Sequence, residues 1–141
     1  MASHKVSRRT IAQQTKAILA HAKSIDGADA HGRAELGRML RLLKNDLSHG
    51  EWIPWIQRHT GMSRRAVQDY LALARFSEEH PELFAELAPV GATKIYALLR
   101  LEPKQIAKLA KMRGVRVPGS TRRKPLAQLS TRELLAVLRA R

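Results

Sequence analysis

Apolar residues recur at helical spacing along most of the chain. Ile11, Ile18 and Ile25 stand seven apart with Ala22 beside them, a narrow stripe at helical period that Asp26-Gly27 should end. From about Ala30 to Leu47, residues Leu36, Met39, Leu40, Leu43 and Leu47 follow the i, i+3, i+4, i+7 pattern of a second helix. Gly37 lies inside it at a cost of about 1 kcal/mol relative to Ala, which points to a close helix contact there. Ser48-His49-Gly50 breaks the pattern. Pro54, with no amide hydrogen to lose, suits the first turn of a short helix from near Ile53 to Thr60. Gly61 suits a helix C-terminus and Ser63 an N-cap, so the next helix is expected from Arg64 to about Phe76.

The second half reads as a run of short helices. Pro81 in HPELFAEL marks a start with Phe84 and Leu87 inward, Gly91-Ala92-Thr93 opens a helix carrying Ile95, Leu98 and Leu99, and Pro103 opens one carrying Ile106 and Leu109. RGVRVPGSTRRKP, residues 113 to 125, mixes Gly, Pro and Ser with basic residues and reads as exposed linker. Ser130-Thr131-Arg132-Glu133 is a capping box ahead of Leu134, Leu135, Val137 and Leu138, so a short, separate helix should close the chain and could dock on a partner protein or a second copy. No internal repeat of fixed period is present. The expected fold is all-α: a multi-helix domain containing a helix-turn-helix. Its parts are a basic N-terminal arm (1–10), a helical domain (11–112, helix-turn-helix at 53–76), a basic linker (113–129) and a C-terminal helix (130–141).

Composition agrees. The 141 residues suit one compact domain plus tails, aromatics are only 4%, and much of the apolar total is Ala and Leu, which favours helices over strands. The absence of cysteine excludes disulfides and thiolate metal sites. The basic N-terminus leads into no apolar h-region, and no stretch approaches the roughly 18 apolar residues of a membrane span, so the expectation is a cytoplasmic, nucleoid-associated protein with no membrane contact. Charge is the strongest compositional signal. The formal net charge is +14 and the sequence pI about 11.3, which calls for an anionic partner. Residues 1–25 hold five basic side chains and no acid, residues 103–141 hold eleven and one, and the middle is nearly balanced.

A short helix, a tight turn with Gly and a longer helix form a helix-turn-helix, whose second helix fits the major groove of B-DNA. Ile56, Met62, Val67, Leu71 and Ala74 can supply its inward set, while Arg64, Arg65, Gln68 and Asp69 take early outward positions. Arg can pair with guanine O6 and N7 and Gln with adenine N6 and N7, or either can hold phosphate. Asp69 can accept from cytosine N4 or orient Arg65 four residues earlier. The amides around Arg64 can meet a phosphate. The alternative is an ordinary solvated helix face.

HGEWIPWIQRHTGMSRRAVQDYLALAR resembles the helix-turn-helix segment of a phage- and plasmid-associated family of unknown function, with a His-Gly-aromatic-x-x-Trp lead-in and a Ser-x-Arg-x-Ala-like helix. Leu36, Lys44 and His49-Gly50 fit that family's preceding helix, VGATKIYALLRL a later one and LSTRELLAVLR its C-terminal segment, so the likeness spans roughly residues 35 to 139. The resemblance implies DNA binding beside replication, partition or regulatory genes of mobile elements. The turn also resembles that of phage repressors, where Gly-Met leads into the recognition helix. That likeness implies base and phosphate contacts at Arg64 and Arg65 and a buried apolar residue at Val67; Gln57 stands where a small residue is usual.

Trp52 and Trp55, three apart, read as core packing, with base stacking the alternative. Tyr70 reads as structural, with a hydroxyl that could reach phosphate. His4, His21, His31, His49, His59 and His80 include no metal-ligating pair, and no nucleophile motif, phosphate loop or paired carboxylates stand out, so neither metal, cofactor nor enzyme activity is expected. Lys5, Arg8 and Arg9 in the arm, and the basic stretch with Arg122, Arg123 and Lys124, can follow phosphates or enter a minor groove. The candidate DNA-contacting set is therefore Ser63, Arg64, Arg65, Gln68, Asp69 and Tyr70 with Arg8, Arg9, Arg122, Arg123 and Lys124. The expectation is a sequence-specific double-stranded DNA-binding protein, a transcriptional regulator of a phage-like or mobile-element gene set, acting as a homodimer or in multiple copies. The alternatives are a plasmid partition or maintenance adaptor and a non-specific nucleic-acid-binding protein.

Overall fold

The computed structural model describes residues 8–27, 29–48 and 50–140. The chain is mostly helical, with a single two-stranded pair among the described residues. It divides into two compact units, Met1–Glu78 and Glu79–Arg141, each with its own buried residues. This differs from the expected single helical domain followed by a linker.

The first unit holds α1 (Arg8–Ser24), α2 (Ala30–Asp46), α3 (Trp52–Thr60) and α4 (Arg64–Glu79). α1 and α2 pack along one another. Ile11 and Ile18 of the apolar stripe are buried as expected, and Ile25 is half-buried. Between the first two, Thr15 is also buried: its Oγ1 donates to the Ile11 carbonyl at 2.8 Å and accepts from Trp55 Nε1 at 3.1 Å. That bond ties α3 to α1. Leu36, Leu40 and Leu43 of α2 and Leu47 just after it join Trp52, Ile56 and Val67 in one hydrophobic cluster, with Met62, Tyr70 and Leu71 packed at its edge. Of the arm expected over residues 1–10, Arg8–Thr10 are helical; residues 1–7, with His4 and Lys5, and His49 lie outside the described residues.

Gly37 has the close contact its position suggests. A Cβ there would collide with the carbonyl oxygen of Tyr70 and come within 2.8 Å of the Ala74 Cβ, so the backbone of α2 lies directly against α4. Just beyond this contact lie two polar clamps. Arg38 donates to Ser77 Oγ at 3.1 Å, and Arg41 holds Glu78 through both guanidinium nitrogens at 2.8 and 2.6 Å. The hydrogen bond from Arg41 holds the Glu78 carboxyl below the ordinary glutamate range.

The second unit holds α5 (Pro81–Leu87), α6 (Ala92–Leu98), α7 (Pro103–Lys111), a pair of antiparallel strands β1 (Val115–Arg116) and β2 (Arg123–Lys124), and α8 (Thr131–Arg139). α5 packs against α7 and α6 against α8. Phe84, Leu87, Ile95, Leu98, Ile106 and Leu109 are buried. The segment expected to be an exposed linker is part of this unit. Val115 and Val117 point inward on either side of exposed Arg116, Leu126 and Leu129 are buried, and a Cβ at Gly114 would sit 2.8 Å from that of Arg123. The inward period-2 pattern is only two valines long, and basic neighbours mask it. The C-terminal helix is likewise not separate. Leu134 and Val137 are buried, so the apolar face expected to meet a partner is largely used within the unit.

The Ser130–Glu133 capping box forms as its spacing predicts. Glu133 N donates to Ser130 Oγ at 3.0 Å, and Ser130 N donates to Glu133 Oε1 at 2.9 Å. Lys124 reaches the same carboxylate at 3.1 Å, joining β2 to α8. The Ser130 amide, and then the Lys124 ammonium, hold the Glu133 carboxyl below its ordinary range.

Two outcomes follow from this architecture. Gly37→Ala should destabilise the full chain by about 1–3 kcal/mol in urea denaturation, because two helix backbones must part, whereas relief of a freely exposed helical glycine would stabilise it. For Glu133, the folded-state pKa lies below the unfolded one, so its contribution is complete above the ordinary glutamate range and is lost as pH falls through the folded value. The stability gap between wild type and Glu133→Gln should therefore close on acidification, measured as thermal midpoints at a series of pH values.

Candidate nucleic-acid interface

The site is built around the α3–α4 elbow. Thr60 ends α3 with its Oγ1 donating to the Ile56 carbonyl at 2.6 Å and accepting from Met62 N at 3.1 Å, which fixes the chain as it leaves the helix. Gly61 follows with φ +73°, the left-handed conformation, and its N donates to the Gln57 carbonyl at 3.3 Å. Nothing lies within 4 Å of where its Cβ would be, so glycine is required there by backbone angle and not by space. Ser63 then caps α4, its Oγ accepting from Ala66 N at 3.1 Å. Residues 61–63 are thus the whole connection between the two helices.

Burial orients α4. Val67 and Ala74 of the expected inward set are buried and Leu71 is half-buried against the cluster; Leu73 and Phe76, not expected there, are also buried. Arg64, Arg65 and Gln68 are exposed on the first turns. Among the described residues none of the three side chains makes a hydrogen bond or ion pair. Asp69 is half-buried, and no ion pair joins it to Arg65, so the expected orienting role is not formed. Tyr70 packs at the cluster edge and supplies the carbonyl against Gly37, which makes it structural.

The first turn of α4 carries two arginines and no acid. Cations at a helix N-terminus face the positive end of the helix dipole and the unpaired amides, an arrangement that costs about 0.3–1 kcal/mol per charge near the surface. Helix stability therefore does not explain Arg64 and Arg65. An anion placed there meets the arginines, the dipole and the amides together. Arg8 and Arg9 repeat the arrangement, exposed on the first turn of α1 with no acid beside them.

Two shallow clefts run past the start of α3 and share Leu47, Gly50 and Pro54 in their walls. One is edged by Arg8 and Arg58, the other by Lys44, Gln57 and Arg64. α1, α2 and the helix-turn-helix thus place Arg8, Arg58, Lys44 and Arg64 in the walls of these two clefts, with Glu51 also in the wall that holds Arg8 and Arg58. Arg58 and Lys44 were not expected as site residues. A basic residue on the outer face of the first helix of the pair would have indicated Arg58; no local signal brings in Lys44, which arrives through the α2–α3 turn. Gln57, at the position where phage repressors usually have a small residue, is exposed on the rim beside Arg64 and does not enter the elbow.

The other candidates divide. Trp52 is buried in the cluster; Trp55 is half-buried, bonded to Thr15 and in tilted contact with the His59 ring at a centroid distance of 4.0 Å. Both tryptophans are therefore committed to the fold. Arg122, Arg123 and Lys124 lie in the second unit, where Arg122 and Arg123 are exposed and Lys124 is paired with Glu133. Among the described residues no helix is long and apolar enough to cross a membrane.

Comparison with protein-family models, curated proteins and solved structures finds no match to this chain. The functional reading therefore rests on the residues themselves.

Gly61→Ala should destabilise the chain by roughly 1–2 kcal/mol, since the penalty is that of the left-handed backbone. Gly61→Asn should recover much of the loss in thermal melts, because Asn tolerates that conformation better; equal losses for Ala and Asn would contradict a purely conformational requirement.

Proposed function

We propose that the chain is a sequence-selective double-stranded DNA-binding protein in which the first turns of α4 enter the major groove. The observation that carries the reading is the set of three exposed, unpartnered hydrogen-bonding side chains, Arg64, Arg65 and Gln68, on the capped start of the longer helix of a helix-turn-helix. Arg and Gln are the side chains whose paired donors and acceptors match guanine and adenine edges. Arg8, Arg58 and Lys44, in the walls of the two clefts that run past α3, suit phosphate contacts that set register without reading sequence. The arginines at two helix N-termini, disfavoured in the free protein, are favoured once phosphate is present.

The biological role we infer is a transcriptional regulator of a phage-like or mobile-element gene set, on the strength of the resemblance described above. One such helix reads only a few base pairs, so the protein would act as a dimer or as several copies on repeated sites. A partition adaptor working through the C-terminal helix is less well supported, because Leu134 and Val137 are buried within the second unit. A purely non-specific nucleic-acid coat draws support from the charge of +14 alone.

Selection of binding sites from random duplex DNA by the full chain tests the reading directly: an enriched motif is expected, and none at moderate salt would overturn it. Arg64→Ala should then relax discrimination, costing about 1–3 kcal/mol on the selected site and little on random DNA. Equal losses on both would assign Arg64 to phosphate.

A further inference from the structure

We propose that the Glu79–Arg141 unit is a second DNA-contacting module, in which α7 and the β1–β2 hairpin each present exposed cations to the phosphate backbone of a duplex. This rests on the reading that the chain binds duplex DNA, but not on α4 being the helix that reads it. Residues 104 to 124 contain eight basic side chains and no acidic one. They are held on folded elements.

On α7, Ile106 and Leu109 are buried while Lys104, Lys108 and Lys111 are exposed at i, i+4 and i+7, one stripe of the helix. None of the three has a partner among the described residues. Lys108 and Lys111 stand in the last turn, where the helix dipole favours a cation, but Lys104 stands in the first turn, where it does not. The stripe has no acid at i+3 or i+4 to offset like-charge repulsion, although such pairing is the ordinary way to stabilise an exposed helix face.

After three intervening residues the hairpin repeats the pattern. Arg116 and Arg123 are directly opposite one another in the antiparallel register, and both are exposed. Side chains opposite each other share a face, and two like charges in that position destabilise the pair. Val115 and Lys124, the neighbouring pair, face the other way: Val115 is buried and Lys124 is anchored by Glu133, so the face carrying the two arginines is fixed. Two separate elements thus each keep a like-charge arrangement that folding disfavours and an anion would relieve.

These cations fit a duplex better than a single strand. Residues 103–125 contain no aromatic side chain on which an unpaired base could stack. Lysine and arginine without stacking partners suit regularly spaced phosphates, and an α-helix and a two-stranded ribbon are the two elements that a B-DNA major groove admits.

The test measures salt-dependent binding of the full chain to a selected duplex, a random duplex and a single-stranded RNA. It uses wild type, the Lys104→Ala/Lys108→Ala/Lys111→Ala variant, the Arg116→Ala/Arg123→Ala variant and Arg116→Lys/Arg123→Lys. Each lost phosphate contact should lower the slope of log affinity against log salt by about 0.9. Both alanine variants should show a lower slope on both duplexes with their preference between them unchanged, and the lysine variant should keep the wild-type slope. Thermal melts matching wild type identify the effect as one of contact, and Lys→Gln replacements serve where an alanine variant melts early. An unchanged slope in both alanine variants, while Arg64→Ala still relaxes discrimination, overturns this inference and leaves the reading of α4 intact. Loss confined to the single-stranded RNA also overturns it. A wild-type chain that binds neither duplex overturns the DNA reading itself.

Discussion

The missing side chain at Gly37 lets α2 lie against the backbone of α4, and the placement of α4's first turns follows from that contact. A helix held through backbone rather than through long side chains has little freedom to slide or roll. The contact involves Tyr70 and Ala74, and Arg38 and Arg41 grip Ser77 and Glu78 just beyond it. From there the helix runs back to Ser63, whose cap fixes its start. Val67 enters the cluster that Leu36, Leu40 and Ile56 share, and Arg64, Arg65 and Gln68 are left facing out. The outward set is thus determined from both ends of the helix, by a close backbone approach at one and by a hydroxyl cap at the other.

The two capped helices show how differently the sequence treats helix starts. α8 begins with Ser130 and Glu133, a reciprocal box in which an acid meets the positive end of the dipole. α4 begins with a serine cap of similar geometry but places Arg64 and Arg65 where α8 has Thr131 and Arg132, and has Ala66 where α8 has its glutamate. The cap stabilises the fold in both cases. Only in α8 does the charge pattern help as well.

Much of the fold is legible in the sequence because its signals act locally. Pro54, Gly61 and Ser63 each govern one turn of backbone, and the leucine spacing of α2 needs only its own helix. The interactions that orient those helices are not local: Trp55 meets Thr15 across 40 positions, and Arg41 meets Glu78 across 37. No spacing rule points to either. The second unit hides its organisation differently. Its strands are two residues long, so the alternation of Val115, Arg116 and Val117 never reaches the length at which period two becomes visible against a Gly-, Pro- and Arg-rich background. Composition alone makes that segment a linker, and only the burial of Val115, Val117, Leu126 and Leu129 makes it structure. On the site, α4's arginines are legible because the turn and cap precede them in sequence. Arg58 and Lys44 become neighbours of that site only when α2 and α3 fold.

A charge pattern that opposes folding is informative about function only when folding could have avoided it. Exposed positions accept many residues at little cost, so nothing in packing forces arginine onto the first turns of α1 and α4, or a second arginine opposite Arg116. Each of these cations raises the free energy of the folded chain while its counter-charge is absent, and each loses that penalty when a phosphate oxygen arrives. Binding and stability are then linked: a polyanion that prefers the folded state stabilises it by RT ln(1 + [L]/Kd), and part of that gain is repulsion relieved rather than new contact made. On the DNA-binding reading, the residues that make the free protein less stable than it could be are the same ones that make the complex tighter. On that reading the pattern recurs in separate elements, at the starts of α1, α4 and α7 and across the β1–β2 pair.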